Sequence, residues 1–523
     1  MSKGSTLKKM LGDLVIDSSP TINGKYKVLF VASEATPYAS EAGLASVVGY
    51  LSRELASLGH DVRILIPKFG SLDVAKYDLK TIHKGLKVPT GDEANPYLEC
   101  NIQYCDTSEG VPTYFLENQE YYEKRANIYG YSDDATRWAL LSRGALPFIG
   151  TKHFVPDVIH CNDWHTGLIP NLLKMDPTYS NDVTLSNIAT VYTLHNLAYQ
   201  FMFDHHNISE LDFDDGKSPI ASFFDERLNH QNFMRRGVLY SDIVNTVSKT
   251  YSKEILTPEF GEGLDKLFLE LREKLFGIVN GLDYSEYNPE TDDLIPHNYD
   301  KTSLELRSKN KTTLQKEYDL PVNPKIPVLG FVGRLTGQKG IDLMVETLRH
   351  VMKDFDVQFV QVGGGDGWYI DMLQDLQKTF PDKVGVHTFM NHTLPRLLFS
   401  GCDMLLYPSK FEPCGVVQLE AMRYGAIPVV RNVGGLADTV DNFDSKTGEG
   451  TGLVFSDYNE FSLFGQIVRG IELHNNSKLW KKLQTNAMSA DFSWKFSAKE
   501  YSKLYKTAIS FKNKKSFGSR IYP

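Results

Sequence analysis

The chain has 523 residues, and this length alone predicts about two to four domains. Hydrophobic residues make up 41% and charged residues 23%, which is the ordinary balance of a globular enzyme. The formal net charge of −9 excludes a general nucleic-acid or membrane-surface binder, because no basic excess attracts such partners. A local basic cluster can still bind phosphate, so a class of partner is excluded and not a class of site.

Cysteine usage and apolar runs set two further limits. The five cysteines are scattered without a CxxC pair, so neither a zinc site nor a disulfide framework is predicted. No apolar stretch approaches the roughly 18–20 residues of a membrane-spanning helix. The first residues lack the apolar core of a signal peptide. We therefore expect an N-terminal extension over residues 1–24 and a cytoplasmic protein, with a plastid transit peptide as the alternative.

The first predicted elements form a βαβ unit. Residues 26–33 are rich in Val, Leu and Phe and predict a strand, and residues 62–66 predict the next one. Between them, apolar residues recur at the spacing of one helix face. These residues are Leu44, Val47, Val48, Leu51, Leu55 and Leu58. A strand, a helix and a strand in this order imply a parallel sheet.

The same alternation continues along the chain. Strand-like runs follow at residues 157–160, 189–194, 243–247 and 278–279, and a second series extends from about residue 326 to residue 455. The fold class is therefore α/β, with two doubly wound, Rossmann-like domains facing a cleft. We predict domains over residues 25–290 and 291–490, followed by a C-terminal helix and tail over residues 491–523. Asp491 and Ser493 are N-cap candidates for that helix, which we expect to cross back to the first domain.

Arg334 and Lys339 follow an apolar run at residues 328–332, in a loop before a predicted helix near Ile341. A guanidinium binds phosphate oxygens through two parallel hydrogen bonds, and a lysine acts as a mobile point charge. Beside a helix N-terminus the pair suits a departing diphosphate. The alternative is a pair of solvated surface cations, because charged loop residues are mostly exposed.

Two further strand ends carry candidate ligand contacts. Gly364, Gly365 and Asp366 follow the predicted strand at residues 358–362, and such glycines let a backbone approach a ligand closely. A Gly-rich turn alone is weak support, since most are only turns. Glu412 and Glu420 flank a strand-to-helix turn, so one carboxylate can hold sugar hydroxyls and the other a ribose. The alternatives are a helix-start charge and a surface residue.

In the first half, Asp163, Trp164 and His165 end one predicted strand and His195 ends another. Aromatic faces pack on sugar rings and polar side chains bind hydroxyls, so these clusters indicate carbohydrate binding. His160 together with Asp163 and His165 also raises the possibility of a metal. The spacing H-x-x-D-x-H is no tight metal signature, however, and we expect no metal.

These motifs resemble the bacterial-type glycogen and starch synthases, retaining glucosyltransferases of the GT-B fold. The resemblance extends from Tyr26 to about Ser510. It is carried by eight blocks in family order: DWH (163–165), TLHNLAYQ (193–200), TPEFG (257–261), NGLD (280–283), RLTGQKG (334–340), FEPCG (411–415), GGLAD (434–438) and DFSW (491–494).

The resemblance implies a role for each matched residue. Arg334 and Lys339 would bind and neutralise the donor diphosphate, and Glu412 would contact the glucose hydroxyls. His195 would place its backbone carbonyl near the developing oxocarbenium ion, while Asp163 would orient hydroxyls. Further substrate contacts are expected at Gly43, Asn196, Gly364, Gly365, Asp366, Cys414, Gly415 and Glu420. The family uses no cofactor; its partners are a nucleotide-glucose, here expected to be ADP-glucose, and an α-1,4-glucan.

One loop departs from the family pattern. The family reads K-x-G-G-L where this chain has Ser40-Glu41-Ala42-Gly43-Leu44. The lysine that reaches the donor is replaced by Ser40, and losing such a charged hydrogen bond is worth about 1–3 kcal/mol. Three functions stay open: an active glucan synthase with ADP-glucose or UDP-glucose, a silent paralogue that binds glucan or nucleotide sugar, and a transferase with a small-sugar acceptor. A glucan phosphorylase is disfavoured, because nothing marks a pyridoxal-phosphate lysine.

Overall fold

The computed structural model describes residues 24–106, 110–200, 205–207, 213–389, 391 and 393–521. The predicted N-terminal extension therefore lies outside the described residues, apart from its last one. Within those ranges, every helix is too short or too polar to cross a lipid bilayer.

Among the described residues, the first sheet has nine strands in the order β3-β4-β5-β2-β1-β6-β7-β8-β9. Its strands are β1 (Lys27–Val31), β2 (Asp61–Pro67), β3 (Lys80–Pro89), β4 (Tyr97–Cys105), β5 (Thr113–Glu117), β6 (Val158–Asn162), β7 (Ala189–Leu194), β8 (Ile243–Thr246) and β9 (Leu275–Gly277). The seven strands from β5 through β2 and β1 to β9 pair in parallel with their neighbours. At the other edge, β4 pairs antiparallel with both β3 and β5.

Successive residues of β1 point into different cores. Leu29 and Val31 belong to one apolar cluster, and Val28 and Phe30 belong to another on the opposite face. This explains why the strand is apolar throughout, since a parallel sheet is covered on both faces. The helices of this half are α1 (Gly43–Ser57), α2 (Asp134–Gly150), α3 (Leu168–Met175), α4 (Pro177–Ser180), α5 (Phe233–Tyr240), α6 (Tyr251–Glu254) and α7 (Asp265–Glu270).

The second sheet, in the part of the chain that the structure describes, has six parallel strands in the order β12-β11-β10-β13-β14-β15. They are β10 (Val328–Val332), β11 (Gln358–Val362), β12 (Val384–His387), β13 (Met404–Tyr407), β14 (Ile427–Arg431) and β15 (Leu453–Phe455). The accompanying helices are α8 (Arg307–Glu317), α9 (Ile341–Asp354), α10 (Gly367–Thr379), α11 (Leu394–Gly401), α12 (Val417–Arg423), α13 (Gly434–Thr439), α14 (Glu460–Asn475) and α15 (Ser477–Ser489). The two sheets give the GT-B architecture of two Rossmann-like domains.

The last helix, α16 (Trp494–Ile521), returns to the first sheet. Its buried residues Trp494, Tyr501 and Tyr505 pack in the same cluster as Val28 of β1. Just before it, the chain runs beside the outgoing connection, where the Leu282 N–H donates to the Phe492 carbonyl at 2.8 Å. The polypeptide thus crosses between the domains along two adjacent segments.

The strand expected at residues 278–279 is wrong in position. The pairing segment is β9 (Leu275–Gly277), and the Ile278 N–H continues its ladder by donating to Thr246 at 2.9 Å. The ends of a short edge strand depend on its pairing with the neighbouring strand, here β8. Two apolar residues in the sequence do not indicate the register of that pairing.

Candidate active site

A cavity of about 550 Å³ lies between the two sheets, at the carboxyl ends of the parallel strands. This is where open α/β sheets bind ligands, because the loops after neighbouring strands converge there. Nine of the predicted site residues line it: Gly43, Asp163, His195, Asn196, Arg334, Lys339, Glu412, Cys414 and Gly415. Both domains contribute, so a ligand in this cavity touches both halves of the molecule.

Lys339 and Glu412 form an ion pair in the wall formed by the second domain. The Lys339 ammonium donates to Glu412 Oε2 at 2.6 Å and to the Tyr407 hydroxyl at 2.9 Å. Ser409 Oγ donates to the same carboxylate oxygen at 3.0 Å. Burial alone would lower the pKa of Lys339, but the Glu412 and Tyr407 oxygens raise it above its usual range. Lys339 therefore stays a cation at the cavity wall.

Asp163 holds the backbone of the opposite wall. It has a positive φ of 53°, which is uncommon outside glycine and recurs at functional sites. Its Oδ1 accepts a hydrogen bond from the His195 N–H at 2.8 Å. Burial raises the pKa of Asp163 to about 7, with Glu34 adding to the shift and the N–H groups of His195 and Asn196 opposing it. The contact fixes the peptide at the end of β7.

The hydrogen bonds of His195 indicate its tautomer. Asn162 donates through Nδ2 to the Val31 and His160 carbonyls, so its Oδ1 is the atom that faces His195 Nε2 at 3.0 Å. Nε2 therefore carries the proton, and Nδ1 is an acceptor. Burial lowers the pKa of His195 to about 3, so the ring is neutral at physiological pH. A neutral imidazole with an acceptor nitrogen suits a sugar hydroxyl.

Glu34 organises the loop that departs from the family pattern. Its carboxylate accepts from the Glu41 N–H at 2.6 Å and from the Ala42 N–H at 3.1 Å. Ala42 has φ −126°, an extended conformation open to any residue, so the alanine causes no backbone strain. Ser40 lies exposed beside this loop.

The Arg334 side chain is exposed at the cavity, with its guanidinium 3.5 Å from the Tyr199 hydroxyl across the cleft. The glycine turn after β11 lies behind this loop instead of in the cavity. The Leu335 N–H donates to the Gly364 carbonyl, and the Asp366 N–H donates to the Leu335 carbonyl, both at 2.9 Å. A Cβ on Gly365 would lie 2.2 Å from the Leu335 oxygen. The turn therefore positions the Arg334 loop.

Glu420 also lies apart from the cavity lining. It belongs to α12, where the Tyr287 hydroxyl hydrogen-bonds its carboxylate and burial raises its pKa to about 7. His160 likewise serves the fold. Its ring bonds the Tyr505 hydroxyl at 2.9 Å and Thr193 Oγ1 at 2.7 Å, so it joins β6 to β7 and α16.

The cavity lining also includes Glu34 and Tyr129, which the sequence analysis did not name, and Trp164 and His165, which it named only as neighbours of Asp163. His165 is buried, and its Nδ1 has no hydrogen-bond partner among the described residues. Burial lowers the pKa of His165 to about 3, so it is a neutral polar group at the cavity wall. For Trp164 and His165 the usable signal was their position directly after Asp163.

Comparison with known families gives two matches in succession. A model described as "Starch synthase catalytic domain" matches residues 27–270, and one described as "Glycosyl transferases group 1" matches residues 313–487. Together the two matches include every residue of the cavity wall discussed above. They leave out the segment between them. That segment contains the outgoing connection and Asn280, which lines the cavity.

Similar proteins span nearly the whole chain. A glycogen synthase of Desulforamulus reducens is 40% identical over 486 residues, covering 92% of this chain and 99% of that protein. A glycogen synthase of Clostridium perfringens is 40% identical over 483 residues, covering 92% of this chain and 98% of its own length.

Among solved structures, the catalytic domain of Arabidopsis thaliana starch synthase IV, bound to ADP and acarbose, superposes with a TM-score of 0.80. It is 28% identical and covers 93% of this chain and 100% of its own. A sucrose-phosphate synthase from Thermosynechococcus elongatus shares only the fold, with 16% identity, a TM-score of 0.57, and coverage of 93% of this chain and 100% of that one.

Proposed function

Because the chain belongs to the bacterial-type glycogen and starch synthase family and is a glucosyltransferase, we propose that it extends the non-reducing end of an α-1,4-glucan with glucose from ADP-glucose. The observation that carries the choice of ligands is the whole-length likeness to a starch synthase solved with ADP and acarbose. The two-sided cavity agrees, since it offers Arg334 and Lys339 on one wall and the polar groups of Asp163 and His195 on the other.

On this proposal Arg334 and Lys339 stabilise the leaving diphosphate. Both face the cavity from the loop after β10, and Lys339 remains charged through its contact with Glu412. Electrostatic stabilisation of this kind is worth most in a site with little water. The proposed reaction uses no cofactor, because these side chains supply the charge that neutralises the leaving group.

The first domain would position the sugar. Asp163 accepts hydrogen bonds from the N–H groups of His195 and Asn196. The Asn196 N–H belongs to the peptide that carries the His195 carbonyl, so this contact orients the carbonyl that lies nearest the reacting carbon in the proposed arrangement. His195 Nδ1 would accept a hydrogen bond from one sugar hydroxyl. The Glu412 carboxylate, on the opposite wall, would accept hydrogen bonds from others. Binding donor and acceptor on one face retains the α-configuration without an enzyme nucleophile, so positioning and charge provide the catalysis.

The test is nucleotide release from ADP-glucose and from UDP-glucose, each with glycogen, with maltose or without acceptor. We expect acceptor-dependent release from ADP-glucose and a glucan lengthened by α-1,4-linked glucose. Turnover with maltose but not with glycogen would replace the proposal by the small-sugar transferase. Binding of glycogen without release from either donor would replace it by the silent paralogue, which the matched relatives do not favour.

A matched pair of variants assigns the activity to the cavity. Glu412→Gln removes the carboxylate charge at nearly constant volume and should lower kcat by at least about 100-fold, since an interaction made with the reacting sugar is lost. Glu472→Gln, an exposed residue of α14, is the control and should keep wild-type kcat. Equal activity of the two variants would contradict the assigned site.

We also propose that the protein acts in the bacterial cytoplasm. All five cysteines lie within the described residues, and each is a buried free thiol. Free thiols persist in a reducing compartment, which supports this location.

A further inference from the structure

Outside the cleft, two histidines and a glutamate converge on one point. His205 Nε2 lies 3.0 Å and His206 Nε2 lies 2.9 Å from the same oxygen, Glu262 Oε2. The three candidate ligand atoms all lie within 4.8 Å of one another. None of the three residues belongs to the described lining of the cleft cavity, so the cluster is separate from the proposed reaction.

The two histidines present the same ring atom to the same carboxylate oxygen. The two imidazole rings are in contact, with centroids 4.2 Å apart and an angle of 36° between their planes. A divalent cation at the shared point would be within reach of both ring nitrogens and of the carboxylate oxygen at once.

The backbone presents Glu262 to the histidines at some cost. Its φ is 48°, in the left-handed region that residues other than glycine rarely adopt. The neighbouring contact fixes this turn, because the Gln200 side-chain amide donates to the Glu262 carbonyl at 2.7 Å. A strained residue held in place by its surroundings is typical of a site that orients a ligand.

We propose that His205, His206 and Glu262 bind a divalent transition metal, with zinc as the preferred ion. Two histidine nitrogens and one glutamate oxygen are an established zinc ligand set, which leaves a fourth position for water. The His206 side chain is 64% exposed, so water reaches that position. The metal joins the turn at residues 205–207 to the turn at residues 261–263 and acts as a structural clip. This site is independent of the proposed function.

Spacing in the sequence did not reveal these ligands. His205 and His206 are adjacent, and Glu262 comes from a distant turn, so no short motif connects them. The expectation of no metal was argued from the histidines near Asp163, which are a different group.

The experiment uses the full-length chain, stripped with a chelator and then titrated with zinc chloride in competition with a chromogenic chelator. We expect one tightly bound zinc ion per chain and a higher Tm in its presence. His206→Gln and Glu262→Gln should each weaken zinc binding at least about 10-fold and abolish the Tm increase. His350→Gln, an exposed histidine of α9, is the control and should bind zinc as the wild type does.

Circular dichroism separates lost binding from lost folding in each variant. Cobalt provides a second readout that does not depend on activity, because visible bands of a four-coordinate ion should appear in the wild type and disappear in Glu262→Gln. Zinc binding of equal strength in the wild type and in Glu262→Gln would overturn the proposal, as would the absence of any binding. Either result would leave an imidazole–carboxylate hydrogen-bond cluster as the explanation.

Discussion

Lys339 and Glu412 carry opposite charges at a wall that is nearly closed to water. The exposed fractions of their side chains are 14% and 6%. Removing one partner of a buried pair leaves the other charge uncompensated, which costs more than replacing both. The ion pair therefore affects the stability of the fold in addition to its proposed part in catalysis.

We predict that Lys339→Met lowers the free energy of unfolding by about 3 kcal/mol, because Glu412 then stays buried without its cation. The double variant Lys339→Met/Glu412→Gln should lose clearly less than Lys339→Met alone. Urea unfolding of the two proteins measures the difference. If the double variant is less stable than the single one, the two residues are not coupled as we describe.

Ser40 marks the missing cation of the first loop. We predict that Ser40→Lys lowers the KM for the nucleotide-glucose about 10-fold, since one charged hydrogen bond to the diphosphate is worth on the order of 1–3 kcal/mol. Ala42→Gly should add nothing, because Ala42 is already extended. Steady-state kinetics at two salt concentrations measure the effect, which should shrink as salt increases.

Ser40→Gln is the matched control for this change, because it lengthens the side chain without adding charge. An equal gain from glutamine would mean that contact area, and not charge, is responsible. No gain from lysine would mean that Arg334 and Lys339 already neutralise the diphosphate.

Between elements, His160 connects two strands and the final helix. Burial lowers the pKa of His160 to about 3, whereas its ordinary value is 6.5. Between these values the unfolded chain binds a proton that the folded chain does not, so the fold loses stability as pH falls below about 6.5. From pH 7 to pH 5 one such histidine accounts for about 2 kcal/mol.

We therefore predict that the free energy of unfolding of His160→Gln falls by about 2 kcal/mol less than that of the wild type between pH 7 and pH 5. The variant should nevertheless be less stable than the wild type at pH 7. Urea unfolding at the two pH values measures both slopes. The opposing titration of Asp163 is common to both proteins and cancels in the comparison. The exposed control His350→Gln should follow the wild type; a His160→Gln slope equal to wild type would contradict the assignment.

At the scale of the whole molecule, carboxylates connect the two domains. Asp438 of α13 accepts hydrogen bonds from Ser248 Oγ at 2.6 Å, from the Thr250 N–H at 3.1 Å and from Thr250 Oγ1 at 2.7 Å. In return, Glu254 of α6 accepts from the Gly434 N–H at 3.0 Å. Each domain thus supplies one carboxylate to the other, on the side of the cleft beside the crossing segments.

We predict that Asp438→Ala favours an open arrangement and lowers kcat/KM about 10-fold, because the cavity is formed by both domains. Small-angle scattering should show a larger radius of gyration, with little change in Tm. Asp441→Ala, an exposed neighbour, is the control. Reduced activity at an unchanged radius would place the effect of Asp438 in local structure instead of in domain spacing.

The sequence predicted those parts of the molecule that depend on local pattern. Strands β10 and β11 have the expected bounds, because continuous apolar runs between polar loops admit few alternatives. The antiparallel hairpin of β3 and β4 was missed, since its strands are half-exposed and contain register shifts. The predicted domain boundaries at residues 290 and 490 stay predictions.

Within the site, the sequence indicated which strand ends converge but not which way each side chain turns. Lys339 and His195 line the cavity as expected, because His195 comes directly after β7 and Lys339 lies in the loop between β10 and α9. Glu420 turns to Tyr287, and the Gly364–Asp366 turn lies behind Arg334, outcomes that depend on tertiary packing. The role of Glu34 as an acceptor for two backbone N–H groups needs coordinates, since one acidic residue after a strand has no pattern.

The return of α16 to the first sheet has a consequence for synthesis on the ribosome. Tyr501 and Tyr505 complete a core that begins with β1, yet they are translated after the whole second domain. At a translation rate of about 5–20 residues per second, the apolar face beside Val28 stays uncovered for on the order of tens of seconds until α16 is made. During that interval the nascent first domain exposes an apolar surface that favours aggregation, and we expect a chaperone to bind it.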